Sequence, residues 1–348
     1  MTVLFTDEQF RYQQEHYHEN RTPYYVAGSI VLIVVATLSV ILRFTARKIR
    51  KVALAVDDYI LVVALIFAYG LFISTLYCLR FGFGKHILRV GLQNAFLAGR
   101  AVYVLQPIFP ACTGSTKLSI LLLYRRIFTM HTPWFRWSYR AIVVVLAGWA
   151  VGGFFTLIFQ CWPIQSAWTH MGGHCIDLKA ALTTLASINT ALNAAILILP
   201  IPMIWNLQIS RQKKVGLCAI FAIGGGDVAS SIARTVITAQ TIPGNEHGNI
   251  GNALASSSGP PSAGSTSQLD ITWNLADATM LALTEPCVGI LCACLPVMHT
   301  LVGPVMGGLR SAFGPKKRSG ESGKGSGRSS ADDGDSEPKR RYNVPGQV

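Results

Sequence analysis

The chain has 348 residues, of which 51% are hydrophobic and only 14% charged, and its formal net charge is +13. In soluble globular proteins about a quarter of all residues are charged, so this composition argues against a soluble enzyme or binding domain. The lysines and arginines stand in short runs between apolar blocks rather than along one basic surface, which also argues against nucleic-acid binding. The apolar blocks are about as long as a helix that crosses the hydrocarbon core. The composition therefore predicts an all-α membrane protein.

The N-terminal segment, residues 1–23, is polar and carries charges of both signs. It lacks the basic start, short apolar stretch and small-residue cleavage site of a secretory signal peptide, so we expect the first apolar block to act as an uncleaved targeting signal. Asn20-Arg21-Thr22 is an N-glycosylation sequon a few residues before that block, which makes Asn20 a glycosylation candidate.

Seven apolar blocks of helical length follow one another and predict a seven-helix membrane domain over residues 24–300. The predicted spans lie near 24–44, 58–79, 94–122, 140–161, 181–205, 215–240 and 270–297. The third block is interrupted by Arg100, Gln106, Pro107, Pro110 and Lys117. Because neighbouring helices can satisfy the carbonyls that a proline frees inside a membrane, we predict a kinked helix there rather than a loop.

The loop charges predict the orientation of the bundle. The first, third and fifth connections and the start of the tail are rich in basic residues: Arg43, Arg47, Lys48, Arg50, Lys51, Arg125, Arg126, Arg136, Arg140, Arg211, Lys213, Lys214, Arg310, Lys316, Lys317 and Arg318. The connection 162–180 has only Lys179 and 241–269 has neither Lys nor Arg, whereas 80–93 is an exception with three. Basic loops stay in the cytoplasm, so we expect the N-terminus outside and the C-terminus in the cytoplasm.

Two segments have the composition of unfolded chain. The connection 241–269 is rich in Gly, Ser, Asn and Pro and predicts a flexible outer loop. The tail, 301–348, is Gly- and Ser-rich with mixed charges beyond about Gly314. It cannot bury enough apolar surface to fold, so it is predicted to be a disordered cytoplasmic tail.

Several motifs stand in order along the predicted helices. They are Arg43-Phe44, Asp57-Asp58-Tyr59, Gly82-Phe83-Gly84-Lys85-His86, the stretch from Lys117 to Phe128, Cys161-Trp162-Pro163 with Trp168 and Cys175, Pro200-Ile201-Pro202-Met203-Ile204-Trp205, Trp273, Glu285 and Cys292-Ala293-Cys294-Leu295-Pro296. By these motifs residues 24–300 resemble the fungal rhodopsin-like integral membrane proteins, a family named after a satratoxin-cluster protein and related to Pth-type receptor-like proteins. The resemblance implies seven helices and a membrane location, and no established biochemical activity.

Two positions depart from the family's pattern. Family members usually carry an Asp four residues after the Asn of the fifth helix, whereas here Asn189 is followed by Asn193. The acidic residue that follows the Trp of the seventh helix is replaced by Asn274. If either carboxylate binds a cation or proton in the family, the resemblance implies that this chain has lost that ability.

Three carboxylates inside predicted spans are candidate catalytic groups. Glu285 lies deep in the seventh span, and Trp273, Asp277 and Glu285 recur at helical spacing, which predicts both carboxylates near one face. An ionised group near the bilayer centre costs at least about 2.5 kcal/mol and usually faces a partner or a cavity. Function and an interhelical hydrogen bond both remain open for Glu285.

Asp227 follows three glycines that allow close helix approach in the sixth span, and its spacing to Arg234 predicts one buried polar network. A structural ion-pair network and a functional site both remain open for this pair. The ligand-binding candidates on these spans are Trp273, Asn189, Asn193 and Arg234.

The charged ends of two spans have both structural and functional interpretations. Asp57 and Asp58 lie at the start of the second span, where a carboxylate caps free amides and favours the helix dipole; signalling is the alternative. Tyr124, Arg125 and Arg126 are candidates for coupling to a cytoplasmic transducer. Anchoring by the positive-inside rule accounts for the same arginines.

Cysteine and lysine positions limit the chemistry. Cys161 and Cys175 both fall on the predicted outer side, where a disulfide can form, with Cys78 and Cys112 as competing partners. Cys292 and Cys294 have no Cys or His pair within reach that would complete a metal site. The seventh span contains no Lys, so no amine is present there for a retinal Schiff base, and no cofactor is predicted.

Three functions remain open. The first is a receptor-like protein that takes a small lipophilic ligand from outside and contacts a cytoplasmic transducer. The second is a cyclase-like intramembrane enzyme on a lipophilic metabolite, in which Asp227, Asp277 and Glu285 donate or accept protons; the family's association with biosynthetic clusters favours it. The third is a transporter, although the sequence shows no inverted repeat. Each would work in the lipid bilayer of the plasma membrane or an endomembrane.

Overall fold

The computed structural model describes residues 11, 14–90, 92–127, 133–169, 174–205, 211–241 and 271–313. The chain divides into two units, Met1–Val305 and Met306–Val348. All contacts discussed below lie within the first unit. Of the second unit, the structure describes only the end of a helix that finishes at Phe313. The predicted outer loop and the predicted disordered tail beyond Gly314 lie outside the described residues.

The described part of the chain is helical apart from one small hairpin. In chain order the elements are α1 (Thr22–Ile49), α2 (Val56–Arg80), α3 (Ile87–Val90), α4 (Leu92–Ile127), α5 (Pro133–Ile158), β1 (Cys161–Trp162), α6 (Ser166–Thr169), β2 (His174–Cys175), α7 (Leu178–Ile198), α8 (Ile201–Trp205), α9 (Arg211–Thr241) and α10 (Ile271–Phe313). The seven longest of these helices, α1, α2, α4, α5, α7, α9 and α10, correspond to the seven predicted spans. The prediction of a helical membrane protein is confirmed.

Five stretches within these helices are long and apolar enough to cross a membrane: Thr22–Ile49, Val56–Arg80, Pro133–Ile158, Leu178–Met203 and Leu275–Val297. Large apolar side chains on them face outward, as Val31, Ile66 and Val144 do with 60%, 64% and 70% of their surface exposed. Such a surface is stable in lipid and unfavourable in water. The protein is therefore a multi-pass membrane protein. The third and sixth predicted spans are helical in α4 and α9, but neither is among these five.

Several helix ends differ from their predicted positions. α1 continues to Ile49, so Arg43 and Arg47 lie in the helix rather than in a connection. α4 is a single helix that contains both Pro107 and Pro110, as expected for the third span. α10 continues to Phe313, past the predicted end near residue 297.

The helices pack around a core of small and aliphatic side chains. α4 lies centrally and packs against α2 and α5, while α9 packs against α7. Gly224 contributes to the close approach of α7 and α9: a Cβ there would lie 2.7 Å from Leu197 Cδ1, so the end of that side chain would have to shift. Gly225 and Gly226 have no neighbour within 4 Å of such a Cβ. Of the three glycines expected to allow close packing, only Gly224 does so among the described residues.

The hairpin of β1 and β2 lies at one end of the bundle and is closed by a disulfide. Cys161 pairs with Cys175 in the strand register, and the two sulfurs are bonded. The predicted disulfide is confirmed. The competing residues Cys78 and Cys112 are buried free thiols.

Candidate functional site

A network of buried polar side chains crosses the middle of the bundle. Four helices contribute to it: α4 gives Lys117, α7 gives Asn189 and Asn193, α9 gives Ser231 and Arg234, and α10 gives Glu285. All six residues are at most 9% exposed. We call this set the polar network. Burying so many polar groups in an apolar bundle is costly unless they bond to one another, so their mutual geometry decides what they do.

Glu285 is the centre of the polar network because it accepts from groups on three helices. Its Oε1 receives Asn189 Nδ2 at 2.5 Å and Asn193 Nδ2 at 2.9 Å, with Lys117 Nζ at 3.5 Å. Its Oε2 receives Arg234 Nη2 at 3.3 Å. A carboxylate that faces two cations and two amide donors is stabilised in its ionised form. Glu285 is therefore held as a counter-ion.

The amides and hydroxyls of α7 and α9 complete the polar network. Lys117 Nζ donates to Asn189 Oδ1, and Ser231 Oγ accepts from Asn189 Nδ2 at 3.1 Å and from Asn193 Nδ2 at 3.0 Å. Thr190 lies 3.2 Å from Ser231 through their hydroxyl oxygens. Because each amide serves two partners, a movement of α9 relative to α7 breaks several hydrogen bonds together.

Two cavities lie on either side of the polar network. The first has a volume of about 60 Å³ and is lined by Lys117, Tyr124, Asn193, Asp227, Glu285 and Cys292, among others. The second, of about 120 Å³, is lined by Gln106, Phe109, Trp149, Ala186, Arg234 and Thr279, among others. Its residues on α5, α7 and α10 lie toward the helix ends that bear the hairpin, so we call it the hairpin-side cavity. The first lies near Ala293 of α10, whose carbonyl accepts from Arg43 in a buried cluster of arginines and aspartates, and we call it the clamp-side cavity after that cluster.

Asp227 lies on the clamp-side cavity but outside the hydrogen bonds of the polar network. Within the described residues its Oδ1 is buried and has no hydrogen-bond partner. The sequence predicts Asp227 and Arg234 in one ion-pair network. Arg234 belongs to such a network, since its Nη2 bonds Glu285, but Asp227 does not take part in the described hydrogen bonds of that network. Asp227 is therefore the carboxylate with a free acceptor atom at this cavity.

A second ionic cluster joins α1, α2 and α10 at the opposite end from the hairpin. Arg43 Nε lies 2.8 Å from Asp58 Oδ1, and Arg43 also pairs with Asp57 and donates to the carbonyl of Ala293. Arg47 lies 2.6 Å from Asp57 and 2.9 Å from Asp58. We call Arg43, Arg47, Asp57 and Asp58 the arginine clamp. All four side chains are at most 4% exposed.

The arginine clamp changes the interpretation of Asp57 and Asp58. Asp58 does cap α2, since its Oδ2 accepts from the Ala55 amide at 3.1 Å. Both carboxylates also hold the arginines of α1, which capping does not require. Ser119 of α4 donates to the Asp57 carbonyl at 2.8 Å, so the start of α2 is tied to both α1 and α4.

The coupling candidates at the end of α4 lie beside this clamp. Tyr124 is half-buried and lines the clamp-side cavity, while Arg125 and Arg126 are exposed. Arg126 Nη1 lies 3.7 Å from Asp57 Oδ1, with 41% of its side chain exposed. The three residues therefore connect a cavity wall, the clamp and the exposed surface within one helical turn.

Two candidates on α10 lie away from the polar network. Asp277 accepts a hydrogen bond from the Tyr25 hydroxyl of α1. Trp273 stacks on His86 with ring centroids 4.3 Å apart, and Arg21 lies 4.3 Å from the same ring. These two residues hold the start of α10 against α1, His86 and Arg21. Asp277 and Glu285 are not brought to one site.

Asn20 adjoins the start of α1. Its side-chain oxygen accepts from the Thr22 amide at 3.1 Å, and the residue is exposed. The structure therefore leaves Asn20 as a glycosylation candidate that also bonds the first turn of the helix.

Lys117 is a member of the polar network that is not among the candidates drawn from the sequence. In the sequence it stands as an interruption of the third span, yet it supplies one of the two cations on Glu285. A lysine inside a membrane helix almost always pairs within the bundle, and this signal could have identified it. The same argument applies to Gln106.

These observations define the class of the chain: it is a multi-pass helical membrane protein with an ionic network buried in its bundle. Residues 42–256 match the fungal rhodopsin domain family. The chain belongs to that family, as the motif resemblance indicated.

Relatives at low identity support the family and differ in their names. The chain is 26% identical over 318 residues to the Polyenoic acids biosynthesis gene cluster protein Ba17b of Metarhizium anisopliae, covering 86% of this chain and 81% of that protein. It is 29% identical over 216 residues to a SAT4 family membrane protein of Emericella nidulans, covering 62% of this chain and 48% of that protein. It is 25% identical over 124 residues to Receptor GIN3 of Arthrobotrys oligospora, covering 35% and 29%. No solved structure matches the chain.

Proposed function

We propose that this protein is a seven-span receptor that takes a lipophilic ligand into the hairpin-side cavity and changes the packing of its helices in response. The observation that carries the proposal is the double role of Arg234, which lines that cavity and bonds Glu285. A ligand that moves Arg234 acts on the polar network directly. Because that network joins four helices, the disturbance reaches α4 and α10, which continue to the arginine clamp.

The arginine clamp is the element that a receptor would use at the other end. It ties α10 to α1 through one bond, from Arg43 to the Ala293 carbonyl, and Arg126 lies beside it. Switching requires an element with two discrete arrangements that a ligand biases. Alternative pairings are available here, since Arg43 and Arg47 each contact both aspartates and Arg126 contacts Asp57.

The orientation that this function needs places the N-terminus and the hairpin outside and the arginine clamp in the cytoplasm. The disulfide of the hairpin supports an oxidising compartment for that end. The basic residues near the clamp support the cytoplasm for the other. The relative Receptor GIN3 is named as a receptor, and two relatives are named for biosynthesis clusters. We propose that the response serves a secondary-metabolite pathway at the plasma membrane or an endomembrane.

We expect a glycosylation acceptor inserted between α6 and β2 to be modified, and an affinity tag after Val348 to be digested by protease added to the cytoplasmic face. Both results require that α4 and α9 cross the membrane. If α4 does not cross, the hairpin lies in the cytoplasm and its acceptor stays unmodified. If α9 does not cross, the tag is protected. Glycan removal and protease digestion of intact microsomes measure the two outcomes, and the Asn20→Gln variant removes the natural acceptor from the comparison.

Loss of the coupling residues is expected to abolish a response that depends on this protein. A deletion strain of the native fungus should lose a transcriptional response to culture extract, and the wild-type gene should restore it. The Arg125→Gln/Arg126→Gln variant should reach the membrane and fail to restore it, whereas Arg125→Lys/Arg126→Lys keeps the positive-inside charge and controls for topology. Arg140→Gln removes an exposed cation elsewhere and should restore the response. An unchanged response in the deletion strain would contradict the receptor proposal.

An intramembrane enzyme is a second candidate, and Asp227 is the observation that favours it. Its unpartnered oxygen lies at the clamp-side cavity, where a carboxyl can exchange a proton with a bound metabolite. Glu285 is a poor acid because its oxygens are occupied. The enzyme proposal expects microsomes with Asp227→Asn to lose conversion of a pathway intermediate, and the receptor proposal expects no conversion by either form.

A further inference from the structure

The hairpin-side cavity has an apolar wall with two buried polar groups. Phe109, Trp149, Ala186, Leu275 and others supply the apolar part. Gln106 on α4 and Arg234 on α9 supply polar atoms, and each of these residues is 9% exposed. A cavity of this composition accepts a molecule that is mostly apolar and carries one polar end.

Each of these two residues keeps a hydrogen-bonding atom unused. Within the described residues, Gln106 Oε1 and Arg234 Nε are buried without a hydrogen-bond partner. Leaving such atoms unpaired in an apolar bundle costs free energy, and an unsatisfied buried group in a native structure calls for a further partner or a role. One atom accepts a hydrogen bond and the other donates one, so the missing partner carries both an acceptor and a donor.

The charges around Arg234 favour an anionic partner. Glu285 contacts both Lys117 and Arg234, and Asp227 is a further carboxylate on the clamp-side cavity. The described residues that line the hairpin-side cavity include Arg234 and no Asp or Glu. The guanidinium also lies 4.4 Å from the Phe109 ring, on the cavity side. Its remaining face is therefore a positively charged surface at the wall of a largely apolar cavity, where Coulomb attraction is stronger than in water.

We propose that the hairpin-side cavity binds a lipophilic carboxylic acid, whose ionised carboxylate accepts from Arg234 Nε. In acids that carry a hydroxyl group beside the carboxylate, that hydroxyl donates to Gln106 Oε1. The apolar chain of the acid lies along Phe109 and Trp149. This inference names the ligand class of the receptor proposed above and rests on that proposal for its role, although binding itself does not depend on signalling.

A bromine-substituted undecanoic acid is the probe that tests this site. Bromine quenches the fluorescence of a nearby tryptophan, and Trp149 lines the cavity. With the full chain in phosphatidylcholine nanodiscs, we expect saturable quenching by the acid and at least about tenfold weaker binding of its methyl ester, which has lost the charge that Arg234 attracts. Trp149→Phe should remove the saturable part of the quenching. Equal quenching by acid and ester would overturn the proposal.

Variants separate a lost contact from a lost fold. Arg234→Gln is expected to weaken binding of the acid at least about tenfold, which matches the loss of a charged hydrogen bond. Because Arg234 also belongs to the polar network, Gln106→Glu is the second variant: it places a negative charge at the cavity wall without removing any described hydrogen bond, and it should weaken binding by a similar factor. Ile120→Phe, at the clamp-side cavity, should leave binding unchanged. Wild-type affinity in Gln106→Glu would count against the assigned carboxyl position.

The acids that copurify with the protein identify the source of its ligand. Acids extracted from protein purified out of native membranes and identified by mass spectrometry indicate membrane fatty acids if they match the bulk lipid, and a separate metabolite if they do not. Either acid supports the site. Failure of binding with an intact response in the restored deletion strain overturns this inference and leaves the receptor proposal standing. Binding of the acid without any response supports this inference and overturns the receptor proposal.

Discussion

Glu285→Gln is expected to destabilise the protein by about 3–5 kcal/mol, the range measured when one partner is removed from a buried ionic cluster. The glutamine carbonyl can still accept from Asn189 and Asn193, but it cannot neutralise Lys117 and Arg234. Two cations then remain buried without an anion among their described contacts. The amide-for-carboxylate change keeps the side-chain volume, so the loss is electrostatic rather than a packing effect.

The unfolding temperature in detergent with a thiol-reactive dye measures this loss. Cys78, Cys112, Cys287 and Cys294 are buried free thiols, so they react with the dye when the helices separate. Asp227→Asn is the matched control, because it is the same chemical change at a carboxylate that lines the same cavity. Its Oδ1 accepts no hydrogen bond from the described residues, so we expect no comparable loss.

A second variant separates charge from shape at this site. Lys117→Met/Glu285→Gln removes one of the two stranded cations, and we expect it to be more stable than Glu285→Gln alone. Such a non-additive result is the signature of groups that interact directly. If Glu285→Gln melts at the wild-type temperature, Glu285 is not the counter-ion of the polar network.

The sequence identified most members of the polar network but not their arrangement. Glu285, Arg234, Asn189 and Asn193 stand out singly because polar groups are costly in apolar spans. Which of them meet depends on the relative rotation of four helices, and a single sequence carries no information on that rotation. The same argument applies to Lys117, but Pro107 and Pro110 in the third span favour a kinked helix as the explanation of its interrupted apolar pattern.

The two carboxylates of α10 show the limit of spacing arguments. Eight residues at about 100° each leave Asp277 and Glu285 about 80° apart around the helix. Their spacing therefore indicates a similar side of α10 rather than one site. That angle is enough for Asp277 to face Tyr25 of α1 while Glu285 faces α4, α7 and α9.

The sequence does not predict the arginine clamp, for a different reason. Arginines that follow an apolar block are normally topology signals in a loop, and that rule placed Arg43 and Arg47 outside the membrane helix. α1 continues past them to Ile49, which turns both toward α2. Only the distance between α1 and α2 in the folded bundle shows that they meet Asp57 and Asp58.

Arg43→Gln is expected to destabilise the protein by about 3–5 kcal/mol, because it removes a fully buried partner from two buried carboxylates. Arg43 is 0% exposed, and it alone among the clamp arginines has a described bond to the Ala293 carbonyl. Glutamine is too short and lacks the charge to serve Asp57, Asp58 and that carbonyl together. The same dye-based unfolding temperature measures the loss.

Arg47→Gln is the matched control within the clamp. Arg47 contacts the same two aspartates, but its described backbone partner is Ala53, near the end of its own helix, rather than a residue of α10. Arg47→Gln should therefore lower the stability of the protein less than Arg43→Gln does. Arg43→Lys keeps the charge but offers one compact ammonium in place of a planar fork, and we expect a stability between wild type and Arg43→Gln. If Arg43→Gln and Arg47→Gln were equally stable, the bond to α10 would contribute nothing, and the clamp could not be the element that senses movement of α10.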